Sequence, residues 1–294
     1  MKIYYNKDYR SCKHSFDTTR KATLIAEKAQ ESLGDLVQIV SPEDQYGLTE
    51  DLVREVHSDE YVNAVLTGNP PHKARSQGFA WDENIYKMAI AHNAGVVGAV
   101  KDAMNGVTGV TLSSGLHHAK RTTGSGFCTF NGLAVGATYA HQQGIDKILV
   151  IDFDAHAGGG TYSLVGDIIT HVDLVVSDFD WYDLNEHDNI SDLRYVGTRR
   201  QDYLGAVNDM LDRIAGQDFD IAIYNAGMDP FNSGVDADVL AERESIVADW
   251  IIGQGIPTAV TMAGGYSSSA TSMDEIADLH MFTIDAFSKV PVIA

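Results

Sequence analysis

The feature that most constrains this chain is an alternation. From about residue 82 onward, short apolar runs separate longer amphipathic stretches, and polar residues stand just after each run. A helical stretch at Asp82–Asn105 precedes a strand candidate at Val107–Leu112. Helix Gly132–Gln143 precedes the buried-strand run Lys147–Asp152, and His171–Ser177 is the next strand candidate. Helix Gln201–Ala215 leads into strand Phe219–Tyr224, helix Asp238–Gly253 into strand Thr258–Met262, and a last helix lies near Met273–Phe287. Upstream stand a strand at Lys2–Tyr5 and a helix at Thr18–Ser32, ended by Gly34. Thr67–Gly78, with Gly68, Asn69, Pro70 and Pro71, reads as a surface loop. Short apolar strands separated by amphipathic helices imply βαβ crossovers and a parallel sheet covered on both faces. The expected architecture is α/β, one three-layer α/β/α domain over residues 1–294.

Composition narrows the partners. Twenty-one Lys and Arg stand against 41 Asp and Glu, a formal charge of −20. Such a surface repels phosphate backbones, so no nucleic-acid partner is expected, whereas a cationic substrate is attracted. The two cysteines, Cys12 and Cys128, form neither a disulfide framework nor a metal-binding CxxC spacing. A reducing compartment is the simplest reading. The first residues run straight into strand-like sequence without a signal-peptide core, and no apolar run nears the roughly 20 residues that span a bilayer. A cytoplasmic protein without a membrane partner is expected. Oligomeric state is not legible.

The chemistry stands at the strand ends. After Val107–Leu112 come Ser-Ser-Gly-Leu-His117-His118-Ala-Lys and then Gly124-Ser-Gly126-Phe127-Cys128. After Lys147–Ile151 comes Asp152-Phe-Asp154-Ala-His156-Ala-Gly-Gly-Gly. Ser177 and Asp178 follow the next strand, Asn225-Ala-Gly-Met-Asp229-Pro the one after, and Ala-Gly264-Gly265-Tyr266 the last. Open parallel sheets bind ligands at the carboxyl ends of their strands.

Asp154, His156 and Asp229 supply two carboxylates and an imidazole. Three protein ligands with a fourth position open is the pattern of a catalytic zinc site. Two apart on an extended segment, Asp154 and His156 point the same way. A carboxylate-rich set also accepts iron, manganese or cobalt. The adjacent His117 and His118, facing water at such a site, would act as general base and general acid. They need carboxylate partners to fix tautomer and pKa, and Asp152 is one candidate. The Tyr266 hydroxyl could stabilise a developing oxyanion.

Taken together, Gly115-Leu-His-His-Ala-Lys, Gly124-Ser-Gly-Phe-Cys, Asp152-Phe-Asp-Ala-His, Asn225-Ala-Gly-Met-Asp-Pro and Gly264-Gly-Tyr closely resemble the zinc-dependent histone deacetylase family, which includes acetylpolyamine amidohydrolases and acetoin-utilisation proteins. Upstream, His57-Ser-x-x-Tyr61 resembles the family's His-Ser/Thr-x-x-Tyr stretch, and Lys13-His14 falls near its N-terminal His-Pro segment. The resemblance implies the arginase/deacetylase fold, with an eight-stranded, mostly parallel sheet. It implies hydrolysis of an acylated amine such as acetyl-lysine or an acetylated polyamine. Asp154, His156 and Asp229 then correspond to the zinc ligands, His117 and His118 to the tandem catalytic histidines, and Asp152 to the carboxylate behind His117. Tyr266 corresponds to the tyrosine that polarises the acyl carbonyl. Gly126 and Phe127 correspond to tunnel wall, with the Gly126 carbonyl facing the substrate amide. Asp152 and Ser177, with main-chain oxygens of Asp154 and His156, resemble an internal potassium site.

Several positions depart from the family pattern. The usual His-His-Gly-Asp/Asn-Gly reads His156-Ala157-Gly158-Gly159-Gly160, so Gly159 replaces the residue that partners the second histidine. His118 is therefore expected to lack that hydrogen bond. Ser15 stands where Pro is common, and Asp-Pro-Leu reads Asp229-Pro230-Phe231. Two other readings stay open. A ureohydrolase-like enzyme of the same fold needs two manganese ions and further carboxylates, but Gly158 and Gly227 occupy positions where those would be wanted. A catalytically weakened homologue that only binds an acyl ligand is kept alive by Gly159.

Overall fold

The computed structural model describes residues 1–13, 17–187 and 190–290. His14 and Ser15 lie outside the described residues. Eight strands run β1 (Lys2–Tyr4), β2 (Gln38–Val40), β3 (Gly109–Thr111), β4 (Ile148–Asp152), β5 (Ile169–Val175), β6 (Asp192–Tyr195), β7 (Ile221–Gly227) and β8 (Thr258–Ala263). They form one sheet in the order β2-β1-β3-β8-β7-β4-β5-β6. Every neighbouring pair is parallel, so the sheet expected to be mostly parallel is parallel throughout.

The helices are α1 (Asp17–Leu33), α2 (Tyr46–Val56), α3 (Asp59–Thr67), α4 (Pro71–Ala74), α5 (Ile85–Ala103), α6 (Gly132–Gln142), α7 (Gly159–Val165), α8 (Arg200–Ile214), α9 (Asp229–Asn232), α10 (Ala237–Gln254) and α11 (Met273–Phe287). One face of the sheet is covered by α1, α8, α10 and α11, the other by α2, α3, α5 and α6. Strand periodicity explains the division. Leu149 and Ile151 of β4 face the first layer, while Ile148 and Val150 face the second. The same alternation holds in β7, where Ala222 and Tyr224 oppose Ile221 and Ile223.

The expected helices and strands all appear, with ends shifted by a few residues. Sequence reading overlooked the edge strands β2 and β6, which are short and carry polar residues. It also overlooked α2, α3 and α7. The Thr67–Gly78 loop contains the single turn α4. Local signals for α3 were present: the Ser58 side chain caps the Tyr61 N–H, and Gly68 ends the helix at φ 79°. Cys12 and Cys128 are both buried and are not joined in a disulfide. Among the described residues, no helix is long and apolar enough to cross a membrane.

Candidate metal and catalytic site

The four adjacent strands β3, β8, β7 and β4 deliver the candidate residues to one rim of the sheet. The segment after β3 brings His117 and His118, β4 ends in Asp152 and continues to Asp154 and His156, β7 leads to Asp229, and β8 leads to Gly264–Tyr266. His117, His118, Asp154, His156, Asp229, Gly264 and Tyr266 line a cavity of about 240 Å³, walled also by Ser114, Leu116, Gly126, Phe127, Cys128 and Phe179, with Asp152 buried behind it.

Three ligand atoms converge at its base. The donor atoms of Asp154, His156 and Asp229 lie within 4.8 Å of one another. His156 Nδ1 faces Asp154 Oδ1 at 3.1 Å and Asp229 Oδ2 at 3.3 Å. Two carboxylates and one imidazole, all turned inward, form a donor set that fits a divalent cation. Between these carboxylates the His156 imidazolium is held up at about 10, although burial opposes it. Burial, with the nearby Asp154 charge, raises Asp229 above the usual carboxylate range. Such a group is poised to exchange its proton for a metal ion. The space is kept open by glycine. Gly264 has φ 57°, and a side chain there would overlap the Asp229 carboxylate. A Cβ on Gly227 would run into Asp154. Among the described residues this is the one group of three or more such side chains placed to hold a metal.

The scaffold beneath the ligands was not read from sequence. Arg243 of α10 is fully buried. Its Nη1 donates to the Phe153 carbonyl at 2.9 Å and its Nη2 to the Gly227 carbonyl at 2.7 Å. The guanidinium thus joins the ends of β4 and β7, one residue before Asp154 and two before Asp229. Its Nε donates to Glu244 at 2.7 Å. On the Tyr266 side, the Asn232 side chain accepts from Tyr266 N and donates to Tyr266 O, both at 2.9 Å. Asp229 accepts from the Gly265 N–H. Buried Lys21 donates to the Gly264 carbonyl and, at 2.8 Å, to His280 Nε2.

The tandem histidine rings lie 3.9 Å apart between centroids, tilted by 39°. His117 Nδ1 donates to Asp152 Oδ2 at 2.7 Å. Asp152 Oδ1 accepts from Asn225 Nδ2 at 2.7 Å, and Asn225 Oδ1 accepts from the Thr261 hydroxyl at 2.7 Å. These three side chains stand in register across β4, β7 and β8, all fully buried. Burial pulls the His117 imidazolium down, but the Asp152 charge more than offsets it and holds the group up at about 10. His118 moves the other way, to about 4, under burial and the neighbouring His117 charge.

The expectation that His118 lacks a partner is corrected. Its Nδ1 donates to Asp180 Oδ2 at 3.1 Å. Asp180 follows β5 and also accepts from Gly160 N at 3.1 Å and from Lys120 Nζ at 2.8 Å. A Cβ on Gly159 would overlap the Asp180 main-chain oxygen and lie 3.0 Å from its Oδ1. Glycine at 159 therefore marks where a carboxylate from elsewhere has been admitted. None of Gly158, Gly159 and Gly160 holds a positive φ.

Gly126 and Phe127 both hold left-handed backbone, at φ 50° and 65°. They carry the Phe127 ring to the cavity mouth, half-exposed opposite Phe179. The Gly126 carbonyl accepts from the Cys128 thiol at 3.4 Å. Of the residues named for potassium, Asp152 already serves Asn225 and His117, while Ser177 donates its N–H to the Ala155 carbonyl at 2.9 Å. His57 supports the tandem segment from below. Its Nδ1 donates to the Lys120 carbonyl at 2.9 Å and its Nε2 accepts from Asn131 N at 3.0 Å.

Known proteins resemble the chain in sequence and in fold. The histone deacetylase domain pattern matches residues 14–177. An uncharacterised protein of Picosynechococcus is 26% identical over 241 residues, spanning 73% of this chain and 75% of its own length. The acetoin utilization protein AcuC of Staphylococcus xylosus is 30% identical over 175 residues, 54% of this chain but only 44% of that protein. Among solved structures, the acetylpolyamine aminohydrolase of Burkholderia pseudomallei superposes with a TM-score of 0.76 over 99% of both chains, at 15% identity. That likeness is one of fold.

Proposed function

The chain belongs to the histone deacetylase family, and from that premise we propose that it hydrolyses the amide of a small acylated amine or an acyl-lysine side chain. The observation that carries the reading is the convergence of Asp154, His156 and Asp229 at the base of a cavity whose walls present His117, His118 and Tyr266. An acylated amine as the substrate class takes support from the fold neighbour named as an acetylpolyamine aminohydrolase. The net charge of −20 favours a cationic one.

Asp154, His156 and Asp229 would hold the divalent ion, zinc first, with iron, manganese or cobalt compatible with the same ligands. Bound there, the ion supplies Lewis-acid polarisation and a lowered pKa for water. The protein's own part is proton handling and placement. His118, held neutral by burial, takes a proton from the attacking water. Tyr266 donates its hydroxyl hydrogen bond to the developing oxyanion. His117, which Asp152 holds as the cation, is the member of the pair suited to protonating the leaving nitrogen; environments that push two pKa values apart assign acid and base. Water and amide thereby become carboxylic acid and free amine. Phe127 and Phe179 enclose the aliphatic part of the substrate, and the Gly126 carbonyl accepts from its amide N–H. A structural potassium ion at Asp152, Ser177 and the main-chain oxygens of Asp154 and His156 is part of the proposal on resemblance alone.

The test is turnover of a panel of acetyl-lysine peptides and acetylated polyamines by metal-loaded protein. Amine release from at least one substrate class, abolished by chelation, is the expected result. A fully metal-loaded protein that binds such amides without cleaving them would instead establish the acyl-ligand-binding reading.

A further inference from the structure

Position 159 carries no side chain, yet the second tandem histidine is not left alone. The residue it meets is 62 positions away in sequence, in the segment after β5. Asp180 holds left-handed backbone at φ 59°, a conformation Asp adopts more readily than most residues. Its carboxylate is almost fully buried and takes three donors: His118 Nδ1 at 3.1 Å, Gly160 N at 3.1 Å and Lys120 Nζ at 2.8 Å. Two of these fix the carboxylate independently of the histidine. Gly160 is the second residue of α7, the helix that follows the metal-ligand segment, and Lys120 lies two residues beyond His118. The His118 ring is further confined by Phe179, edge-on at 4.9 Å between centroids.

We propose that Asp180 is the positioning carboxylate of His118, entering from the β5 side the space that Gly159 leaves vacant. A carboxylate on Nδ1–H fixes which ring nitrogen keeps its proton, so Nε2 is the free base facing the cavity. Gly159 and Asp180 are then one device. Any side chain at 159 would occupy the volume that Asp180 fills. Lys120 neutralises the imported charge, so the histidine gains an orienting acceptor without a full unpaired anion beside it. The inference rests on the reading of His118 as proton acceptor, but its structural half can be tested without turnover.

The experiment uses ¹⁵N-imidazole NMR of the full chain, with the His118 signal assigned by its loss in His118→Gln. In the wild type, His118 should show the Nδ1–H tautomer. In Asp180→Ala it should shift toward Nε2–H, and in Asp180→Asn, which keeps the shape and an acceptor, the Nδ1 proton should move upfield. An unaltered His118 signal in folded Asp180→Ala overturns the proposal, whatever the activity. If Asp180→Ala does not fold, an unaltered signal in Asp180→Asn does so.

The kinetic arm follows on an amide that the wild type cleaves. Asp180→Ala should lower kcat by about 10–100-fold, the range for groups that orient a functional histidine, with KM and metal content unchanged. On a His118→Gln background the same substitution should cost nothing, because residues acting as one unit are not additive. Equal losses on both backgrounds would make Asp180 merely structural. A wild type inactive on every amide would defeat the proposed function while the NMR arm still decided the role of Asp180.

Discussion

The two tandem histidines are neighbours in sequence and lie ring against ring in space, yet they are supported in opposite ways. His117 leans on the sheet: Asp152, Asn225 and Thr261 stand in one register on three adjacent strands, linked by hydrogen bonds of 2.7 Å. His118 leans on a loop, through an Asp180 pinned by a half-exposed lysine and one main-chain N–H. A support built from strand pairing is replaceable only by breaking the sheet's own polar row. A support built from a loop takes no part in strand pairing, so it can be altered without breaking the sheet.

That contrast can be broken at its strong end first. Asp152→Ala leaves the Asn225 amide without its buried acceptor and His117 without its partner. It should lower kcat by roughly 10²–10⁴-fold, by analogy with the orienting carboxylate of a catalytic triad, and reduce stability by roughly 3 kcal/mol. Steady-state kinetics and urea denaturation check both, and a stability change as small as that of Asp180→Ala would erase the difference between the two supports. Tyr266→Phe probes a residue whose main chain is clamped by Asn232, at the end of the short helix α9. Its kcat should fall by roughly 10²–10³-fold with metal content intact, and an unchanged kcat would confine Tyr266 to packing. Gly159→Ala adds no functional atom, but it should displace Asp180 and reproduce the about 10–100-fold loss of Asp180→Ala. Full activity in that variant would show the loop yields, and that the glycine serves something else.

The smallest effect concerns His57, which holds the main chain beneath both histidines. Burial depresses it to about 4, against an ordinary value of about 6.5. A folded pKa below the unfolded one means the unfolded chain takes up the proton first. The resulting loss of stability therefore begins as pH falls below about 6.5 and continues to about 4, at roughly 1.4 kcal/mol per pH unit. His57→Gln should flatten the dependence of unfolding free energy on pH in that window by one proton, measured by urea unfolding from pH 7 to 5. An identical slope would mean that His57 titrates normally in the folded protein.

The sequence made legible what lies along a strand and its immediate continuation. The spacing Asp154-Ala-His156 marked two ligands together, although they stand in the bend beyond β4, where the His156 N–H donates to Asp154 Oδ1 at 3.0 Å, while Asp152 is the last residue of the strand. The apolar runs of β4 and β7 are unmistakable because they are buried on both faces. Asp180 was out of reach because its contact with His118 crosses 62 residues and depends on a left-handed residue in irregular chain. The triple glycine at 158–160 signalled an absence without saying what filled it. Arg243 was missed for a related reason. An arginine inside an amphipathic helix reads as surface, and only the tertiary packing shows it capping two strand ends. The edge strands β2 and β6 lacked the continuous apolar run that marks central strands.

The parallel sheet has a second rim, opposite the cavity. Its helix-to-strand turns pass through Gly144, Gly216 and Gly255, and in each case no atom lies near the space a side chain would take. Chemistry and connectivity are thereby assigned to opposite ends of the same strands. Insertions, tags or fused modules placed on that far rim meet open solvent and lie a strand length from His117. The molecule is consequently one whose attachments can be lengthened or exchanged while the reacting end is held fixed.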